Sequence, residues 1–498
     1  MNVATAPSTH TDVAGIDRPA GSLDRSSALA RYDGPWNQRL AAHLLRRAGF
    51  GGSPAEIERA AAQSMHDAVE SLIRFPSTAN MPAPADVYDP SSDLMAFYRG
   101  GGFRNADDTA KRDFRKGLRK KERGSILSLQ EWWLNRMLTT PSPLQEKMAL
   151  YYHGHFTTAA IQKGVTPAMV YNQNQLFRQN ALGNLRSLAW NVSIDPAMML
   201  YLDNAKNDAT HPNENYAREL MELFTLGVDH YTEDDVRQAA RAWTGWKLKR
   251  LGAQANFRAS AHDSGSKTFL GRTGTFNGQD IVNIIFAQPQ CAKFFAASLL
   301  GYFVYNDPEP ELVDAVANLI MKNDYEIAPV MSALLQSNVF YSNRAYRGLI
   351  KSPVEYLVGT YKAFDLTQID PSALRALNQM GQVLFYPPNV AGWPGGSNWI
   401  TSQTTIAREN FVTGLVNSPA MSGNSWLSSV PMQAMPAAQA IVSAILHGDA
   451  SPRGIAQIAD YLNGAGTSAL GTLSGENYPE RVRGAAYLTM AMPAYQLN

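Results

Sequence analysis

Apolar residues recur at helical spacing along almost the whole chain, and this periodicity limits what the chain can fold into more than any other feature. Trp36, Leu40 and Leu44 begin the series, and a cluster of glycines near residue 50 ends the first segment. The next segment opens with Ser53-Pro54-Ala55-Glu56, which is typical of a helix capping box. Similar segments follow to about residue 492, without an internal repeat at solenoid periods. The sequence therefore predicts a mainly α fold, a large multi-helix single domain.

Two stretches break the helical pattern. The region near 255–278 contains two short β-like runs around glycines, which predict a short β-hairpin or an ordered loop. The segment 382–396 contains three prolines and three glycines and is predicted to be irregular.

The composition of the chain changes along its length and indicates how it is organised. Residues 1–34 are small and polar, so we expect a disordered N-terminal tail. We predict a main helical domain over 35–420, within which 75–123 forms a flexible or basic insertion. Its basic run is typical of an exposed helix or mobile loop, and a flap over a pocket is the functional alternative. Residues 421–498 are predicted to form a C-terminal helical subdomain packed on the main domain.

Bulk properties exclude several classes of function. The 498 residues carry a formal net charge of +1, so the basic excess of a nucleic-acid-binding protein is absent and we predict no nucleic-acid partner. No apolar run approaches the roughly 18 residues of a membrane-spanning helix, so we predict no membrane span. The first 34 residues show no signal peptide, and the sequence leaves the compartment open. Cys291 is the single cysteine, which excludes an intramolecular disulfide and a thiolate metal cluster.

The segment 211–227 carries the densest set of polar side chains suited to chemistry. Glu214, Arg218 and Glu222 follow one another at four-residue spacing, which predicts a charge ladder on one helix face. Glu219 lies on a neighbouring face, less than a turn from Glu222. Two carboxylates this close need a shared proton or a cation, so Glu219 is a candidate general acid or base, or a metal ligand. An exposed salt-bridge stripe is the structural alternative.

Two further candidates lie upstream of this segment. His153 and His155 do not share a helical face, but a helix end at Gly154 would bring both rings to one cavity. Packing histidines are the structural alternative. Asp203 follows an apolar run that delivers its carboxylate to a loop, and a turn or capping role is the alternative there.

The remaining candidates are a His-Asp pair and an arginine. His262 and Asp263 precede a turn that contains glycine and serine, although neighbours in sequence need not form a hydrogen bond. Arg178 lies on a helix otherwise dominated by amides. Its guanidinium suits a buried carboxylate or a substrate anion, and plain surface exposure is the alternative.

Six segments combine into a specific pattern: AHLLRRAGFG at 42–51, KMALYYHGHFTT at 147–158, DPAMMLYLDN at 195–204, PNENYARELMELFTLGVDHYTEDDVRQAARAWTGW at 212–246, HDSGSKTFLG at 262–271 and GQ…PPNVAGWPGG…W at 381–399. In this order the chain resembles a bacterial family, the domain of unknown function 1800. The resemblance implies a helical domain that is often exported and often encoded beside a companion similar to sulfatases and alkaline phosphatases. These segments include His155, Asp203, Asn204, Asn213, Glu214, Arg218, Glu219, His262, Asp263 and Lys267.

We predict an enzyme, either a hydrolase or a related acid/base enzyme, that acts on a polar bacterial polymer such as a polysaccharide. In this hypothesis Glu219 is the general acid or base, and Arg218 or Arg178 tunes its pKa. The rest of the predicted catalytic set is His155, Asp203, His262 and Asp263, with Trp243, Trp246 and Trp393 available to stack on sugars.

Two alternatives stay open. One is a metal- or haem-dependent enzyme that uses His153 or His155 with Glu219 and Glu222, although the sequence identifies neither metal nor cofactor. The other is a non-enzymatic assembly or binding partner of the sulfatase-like companion protein, which would show a large exposed apolar patch.

Overall fold

The computed structural model describes residues 27–75, 81–99, 106–249, 254–421, 424–464, 474–475 and 477–498. Helices dominate these residues, so the predicted mainly α fold is confirmed. The helices are α1 Gln38–Arg47, α2 Pro54–Ala61, α3 Met65–Ile73, α4 Ser91–Arg99, α5 Asp108–Thr139, α6 Pro143–His155, α7 Pro167–Gln179, α8 Leu185–Ser193, α9 Pro196–Tyr201, α10 Asn215–Glu219, α11 Glu233–Ala242, α12 Gly278–Phe286, α13 Pro289–Phe303, α14 Pro310–Lys322, α15 Ile327–Leu335, α16 Pro353–Ala363, α17 Ala373–Met380, α18 Ser402–Val416, α19 Ser425–Ser429, α20 Ala434–Leu446, α21 Pro452–Leu462 and α22 Tyr478–Ala491.

Two small antiparallel pairs of strands lie between α11 and α12. Strand β1 (Trp246–Leu248) pairs with β2 (Ala255–Phe257), and β3 (Lys267–Phe269) pairs with β4 (Arg272–Gly274). The second pair confirms the predicted short hairpin. The first pair was not predicted, because its strands are three residues long and carry no clear alternation of apolar and polar residues.

The helix starts follow local capping chemistry. Ser53 and Glu56 form the predicted capping box at α2, with each side chain bonded to the other residue's backbone N–H. Ser352 and Glu355 form a second one at α16. The sequence Ser142-Pro143-Leu144-Gln145 also predicts a capping box, and that prediction is wrong in detail: Pro143 begins α6, but the Ser142 side chain makes no capping bond.

One continuous hydrophobic core runs through the described residues, from Ala28 to Tyr495. Of the predicted tail, residues 1–26 lie outside the described part of the chain. The end of that tail packs on the main body, where Arg31 forms an isolated β-bridge with Ser337. At the other end, Arg347 bonds the carbonyl oxygens of Ala494 and Leu497, which ties the last turn to the centre of the molecule.

The basic run at the end of the predicted insertion 75–123 forms the exposed first half of α5. Of that insertion, residues 76–80 and 100–105 lie outside the described part of the chain. The aromatic residue of the basic run, Phe114, stacks on Phe97 of α4, with ring centroids 4.0 Å apart. Lys121 bonds the Asp93 carboxylate across the same two helices. Among the described residues, none of the helices is both long enough and apolar enough to span a membrane.

Candidate functional site

A cavity of about 340 Å³ lies where α6, α13 and the start of α16 meet the irregular segment after α17. Its lining combines aromatic rings with polar side chains, which is the usual composition of a small-molecule site. The polar members are His155, Ser298, Asn306, Ser352, Glu355, Gln382 and Asn498. Of the sequence-predicted catalytic residues, His155 lines this cavity.

Four aromatic side chains, Tyr151, Tyr302, Trp393 and Trp399, contribute to its wall. The rings of Tyr151 and Tyr302 lie 5.1 Å apart, and the Tyr151 hydroxyl bonds Ser298 at 2.8 Å. Helices α6 and α13 therefore present a fixed aromatic surface, to which Trp393 of the irregular segment and Trp399 just after it add two indole rings. Such surfaces hold ring-shaped polar ligands by contact with their apolar faces.

The His155 side chain is held by a backbone carbonyl and by aromatic rings. Its Nε2 lies 2.9 Å from the carbonyl oxygen of Phe224, and its ring lies 5.2 Å from that of Phe295. A carbonyl oxygen only accepts hydrogen bonds, so Nε2 carries the proton. Nδ1 of the neutral ring is then unprotonated and carries a lone pair. Burial lowers the pKa of His155 to about 4, and the bond to Phe224 offsets part of that shift. The imidazole is therefore neutral near pH 7, with Nδ1 able to accept a proton.

Glu355 brings a carboxylate to the cavity that is fully engaged by protein groups. Its Oε2 accepts from the Ser352 backbone N–H at 2.7 Å, and its Oε1 accepts from the Lys147 ammonium. Burial alone would raise the pKa of Glu355, but Lys147 and the Ser352 cap hold it below its ordinary value. Glu355 is thus a fixed negative charge at the cavity wall, opposed by one buried lysine.

The irregular segment reaches the cavity because Gly392 and Gly154 have no side chains, so the backbone of the segment lies directly against the end of α6. Gly392 has φ of +85°, and a Cβ atom placed there would lie 2.3 Å from the carbonyl oxygen of Gly154. The Trp393 ring then packs over Gly154 and lies 5.4 Å from the His153 ring. Segments 147–158 and 387–396, far apart in sequence, are therefore in direct contact at the site.

The segment 211–227 differs from the prediction in its register. Helix α10 begins at Asn215, and a π-helical turn spans Leu220–Thr225. The wider π turn breaks the four-residue ladder, so Arg218 bonds Glu214 and Glu233, whereas Glu222 accepts from the Tyr231 hydroxyl at 2.7 Å. The π-helix is rare and is frequent at functional sites.

Glu219 is half-buried, and its carboxylate makes no hydrogen bond or ion pair to the part of the chain that the structure describes. Burial raises the pKa of Glu219, Glu222 raises it further, and Arg218 offsets part of the shift. Burial raises the pKa of Tyr201, and Glu219 raises it further, which places the charge of Glu219 near that ring. Leu223, which follows Glu222 in the π turn, lines the cavity. The π turn therefore connects the carboxylates of Glu219 and Glu222 to the cavity wall.

Asp203 is held between two lysines and has a left-handed backbone conformation with φ of +59°. Its two oxygens accept from Lys163 at 2.7 Å and from Lys206 at 2.6 Å. Although burial acts in the opposite direction, these ammonium groups keep the pKa of Asp203 below its ordinary value. Lys163 also bonds the carbonyl of Tyr201, so Asp203 and Glu219 both lie near that residue.

His262 and Asp263 lie together at the two strand pairs. The Asp263 carboxylate accepts from Arg241 at 2.7 and 3.2 Å, which lowers its pKa, and Lys267 bonds the Asp263 carbonyl. His262 Nδ1 lies 2.9 Å from the carbonyl of Thr244. These contacts join the hairpin to the end of α11, and the two residues do not line the cavity of His155.

Arg178 is buried and bonds both oxygens of Glu146, at 2.6 and 2.8 Å. Arg136 and the Trp133 indole N–H complete the shell around that carboxylate. Arg178 therefore binds a buried carboxylate, which is one of the two functions that the sequence suggested for it. That carboxylate belongs to Glu146 and not to Glu219.

The two histidines of the His-Gly-His motif occupy different surroundings. His153 is buried among Trp133, Phe385 and Trp393, and burial lowers its pKa to about 3. Within the described ranges, no three His, Cys, Asp or Glu side chains gather as a metal site would require.

Sequence reasoning missed Glu355, Lys147 and the tyrosine pair. The capping signature at Ser352 could have shown that Glu355 is fixed in place, and Lys147 lies in the same segment as His155. The expectation that Trp243 stacks on sugars is wrong, because that side chain is fully buried beside Tyr216. Trp246 packs between Trp190 and Phe257, whereas Trp393 lines the cavity.

Comparison with known proteins places these segments in one family. Neither the curated proteins nor the solved structures gave a match. A family model described as "Protein of unknown function (DUF1800)" matches residues 43–497. This match spans the helices, the π turn and the irregular segment that build the cavity, and the chain therefore belongs to the DUF1800 family.

Proposed function

We propose that the protein is an acid/base enzyme that acts on a carbohydrate-like part of a polar polymer, bound in the cavity beside His155. One observation carries the proposal: the same cavity gathers aromatic rings, a neutral imidazole and a fixed carboxylate. Aromatic faces with a few polar groups suit a hydroxylated ring better than a flat apolar ligand.

The proposed base is Nδ1 of His155. The Phe224 carbonyl holds the ring in the tautomer that leaves Nδ1 unprotonated, and burial keeps it so at neutral pH. A base in this state accepts a proton from a water molecule or from a substrate hydroxyl as the bond is attacked. Glu355, charged at the same pH, would stabilise positive charge that develops on the substrate.

The predicted role of Glu219 as a general acid or base remains part of the proposal. In its favour are the raised pKa, the absence of a hydrogen-bonding partner among the described residues, and its position directly before the π turn. A carboxyl group with a raised pKa keeps its proton at higher pH and can deliver it to a leaving group. Glu355 is less suited to that role, because Lys147 and Ser352 occupy its oxygens.

The test is turnover of a panel of neutral and acidic polysaccharides, followed by release of reducing ends and by mass spectrometry of the products. We expect at least one polymer to be cleaved, and His155→Gln to lower kcat by about 10²–10⁴-fold. Glutamine can still donate to the Phe224 carbonyl, so the variant removes the base and keeps this contact. The matched control is His230→Gln on an exposed position, which should leave kcat unchanged.

A second variant tests the aromatic wall. Tyr302→Leu should raise KM more than it lowers kcat, because the ring binds the substrate and takes no proton. Exposed Tyr98→Leu is the control. The proposal fails if no polymer in the panel is bound or cleaved, or if His155→Gln cleaves the active polymer at the wild-type rate.

The sulfatase-like companion also remains a prediction, since its support is the resemblance alone. Co-purification of tagged wild-type protein with that companion would test it, and recovery of the tagged protein alone would contradict it.

A further inference from the structure

The segment 42–51 places two adjacent arginines, Arg46 and Arg47, inside the protein rather than on its surface. Both guanidinium groups are at least 95% buried, since Arg46 is 3% and Arg47 1% exposed. Arginine stays protonated across the physiological pH range, so each brings a full positive charge into the interior. A buried charge requires a partner of opposite sign, because an uncompensated one is strongly destabilising.

A small chamber beside Arg46 is lined by three cationic side chains, Arg46, Arg347 and Lys351, and by His447. Glu355, which also lines the main cavity, is the carboxylate on its wall. The cations are close enough to act on each other: Arg347 and Arg46 both lower the pKa of Lys351, after the larger effect of burial. All three cations also lower the pKa of His447, again after burial.

Two side-chain carboxylates near the chamber are already engaged. Glu355 is bonded by Lys147, and Asp449 is bonded by Arg347 and by Arg39, each at 2.9 Å. Arg46 approaches Asp449 at 4.0 Å, which is too far for a hydrogen bond.

Two of the positive charges are therefore only weakly compensated, because Arg46 has a single 4.0 Å ion pair with Asp449 and the Glu355 carboxylate beside Lys351 is bonded by Lys147. All three guanidinium nitrogens of Arg46 are buried without a hydrogen-bond partner among the described residues. Lys351 has the face of the Tyr495 ring 3.7 Å from its Nζ. This ring interacts with the ammonium but supplies no negative charge.

We propose that this chamber binds one small monovalent anion of the halide type, with Arg46 and Lys351 as its principal ligands. The chamber has a volume of about 20 Å³, slightly more than the roughly 10–15 Å³ that holds one water molecule. A single-atom anion fits this space, whereas a phosphate or a sugar carboxylate is too large. The anion would neutralise the surplus charge behind Glu355, and the inference is independent of the proposed function.

The experiment measures Tm of the full chain while chloride replaces gluconate at constant ionic strength and pH. For wild type we expect a saturable rise of roughly 2 °C, because an anion that binds only the folded state stabilises it. Arg46→Met, which keeps the length of the side chain and removes its charge, should abolish the rise. It should also be at least as stable as wild type in gluconate, since a buried guanidinium without hydrogen bonds is gone and Asp449 keeps Arg347 and Arg39.

The matched control is Arg237→Met, on the exposed side of α11, which should keep the full chloride response. If Arg46→Met does not fold, bromide-soaked crystals of wild type decide the question by anomalous scattering. A peak between Arg46, Arg347 and Lys351 supports the proposal. An empty chamber at saturating bromide overturns it, and so does a chloride response that persists in folded Arg46→Met.

Discussion

Nε2 of His155 donates to the carbonyl oxygen of Phe224 across 2.9 Å, and this bond joins the end of α6 to the π turn. Phe224 lies in the last turn of its helix, where carbonyl groups have no partner within the helix. His155 supplies that partner and is itself fixed in one tautomer. Changes in the π turn are thus transmitted directly to the ring that lines the cavity.

The pKa of His155 gives a first prediction, which needs no substrate. Burial lowers the pKa to about 4, so the ring should stay neutral, with its proton on Nε2, from pH 8 down to about pH 5. NMR of ¹⁵N-labelled imidazoles follows this directly, and His155→Gln identifies the signal. Exposed His230 serves as the internal reference. Titration of His155 near its ordinary value of 6.5 would contradict the prediction.

The same shift has a consequence for stability. The unfolded chain takes up protons below about pH 6.5, whereas folded His155 and His153 do so only near pH 4 and 3. The free energy of unfolding should therefore fall as the pH drops from 6.5 to 4, by up to about 1.4 kcal/mol per unit for each histidine. Urea unfolding at a series of pH values measures the slope. A slope that is unchanged in a folded His155→Gln variant would exclude a contribution from this residue.

Gly392 and Gly395 together test the contact between the irregular segment and the backbone of Gly154. Both have positive φ, but a Cβ atom at Gly392 would lie 2.3 Å from the Gly154 carbonyl oxygen, whereas one at Gly395 meets nothing within 4 Å. Gly395 has φ of +63° and ψ of 179°, a region essentially restricted to glycine, so Gly395→Ala should cost about 1–3 kcal/mol from backbone strain alone. Gly392→Ala should cost clearly more and should displace Trp393 from the cavity. Urea unfolding and tryptophan fluorescence measure both effects, and equal losses in the two variants would contradict the close contact.

Glu222 should control the protonation of Glu219. Its carboxylate raises the pKa of Glu219, in addition to the larger effect of burial, so Glu222→Gln should lower that pKa. In an active enzyme that uses protonated Glu219 as its acid, the fall of kcat/KM at high pH would then begin at a lower pH. Carboxyl ¹³C NMR reports the pKa without a substrate, with Glu219→Gln to identify the signal. Glu311→Gln, on α14, is the control. An unmoved Glu219 signal in Glu222→Gln would rule out the coupling.

The sequence predicted most of the fold because its helices carry their own start and stop signals. Ser53 with Glu56 defined the start of α2 from four residues, and Gly227 adopts the left-handed conformation expected of a helix end. The π turn was not predictable, because its extra residue per turn leaves no mark in the apolar spacing of 220–225. Local patterns fix local geometry, and the exceptional turn depends on tertiary contacts such as His155.

The site was less predictable than the fold, since it depends on contacts between distant segments. The sequence named His155 but not Glu355, whose role follows from Lys147, 208 residues away along the chain. Nor does spacing show which side of a helix faces inward in an all-helical core. From the sequence, Arg178 and Arg218 were equally good candidates to shift the pKa of Glu219. In the structure Arg178 is buried against Glu146, whereas Arg218 pairs with Glu233 at the surface.

That difference between the two arginines gives a final prediction. Arg178→Met removes a buried guanidinium that bonds both oxygens of Glu146, so we expect a loss of about 3–5 kcal/mol in the free energy of unfolding. Arg218→Met breaks an exposed pair with Glu233 and should cost no more than about 1 kcal/mol. Urea unfolding compares the two variants. A cost below 1 kcal/mol for Arg178→Met would contradict its place in the core, because Arg136 would then suffice to hold the buried carboxylate.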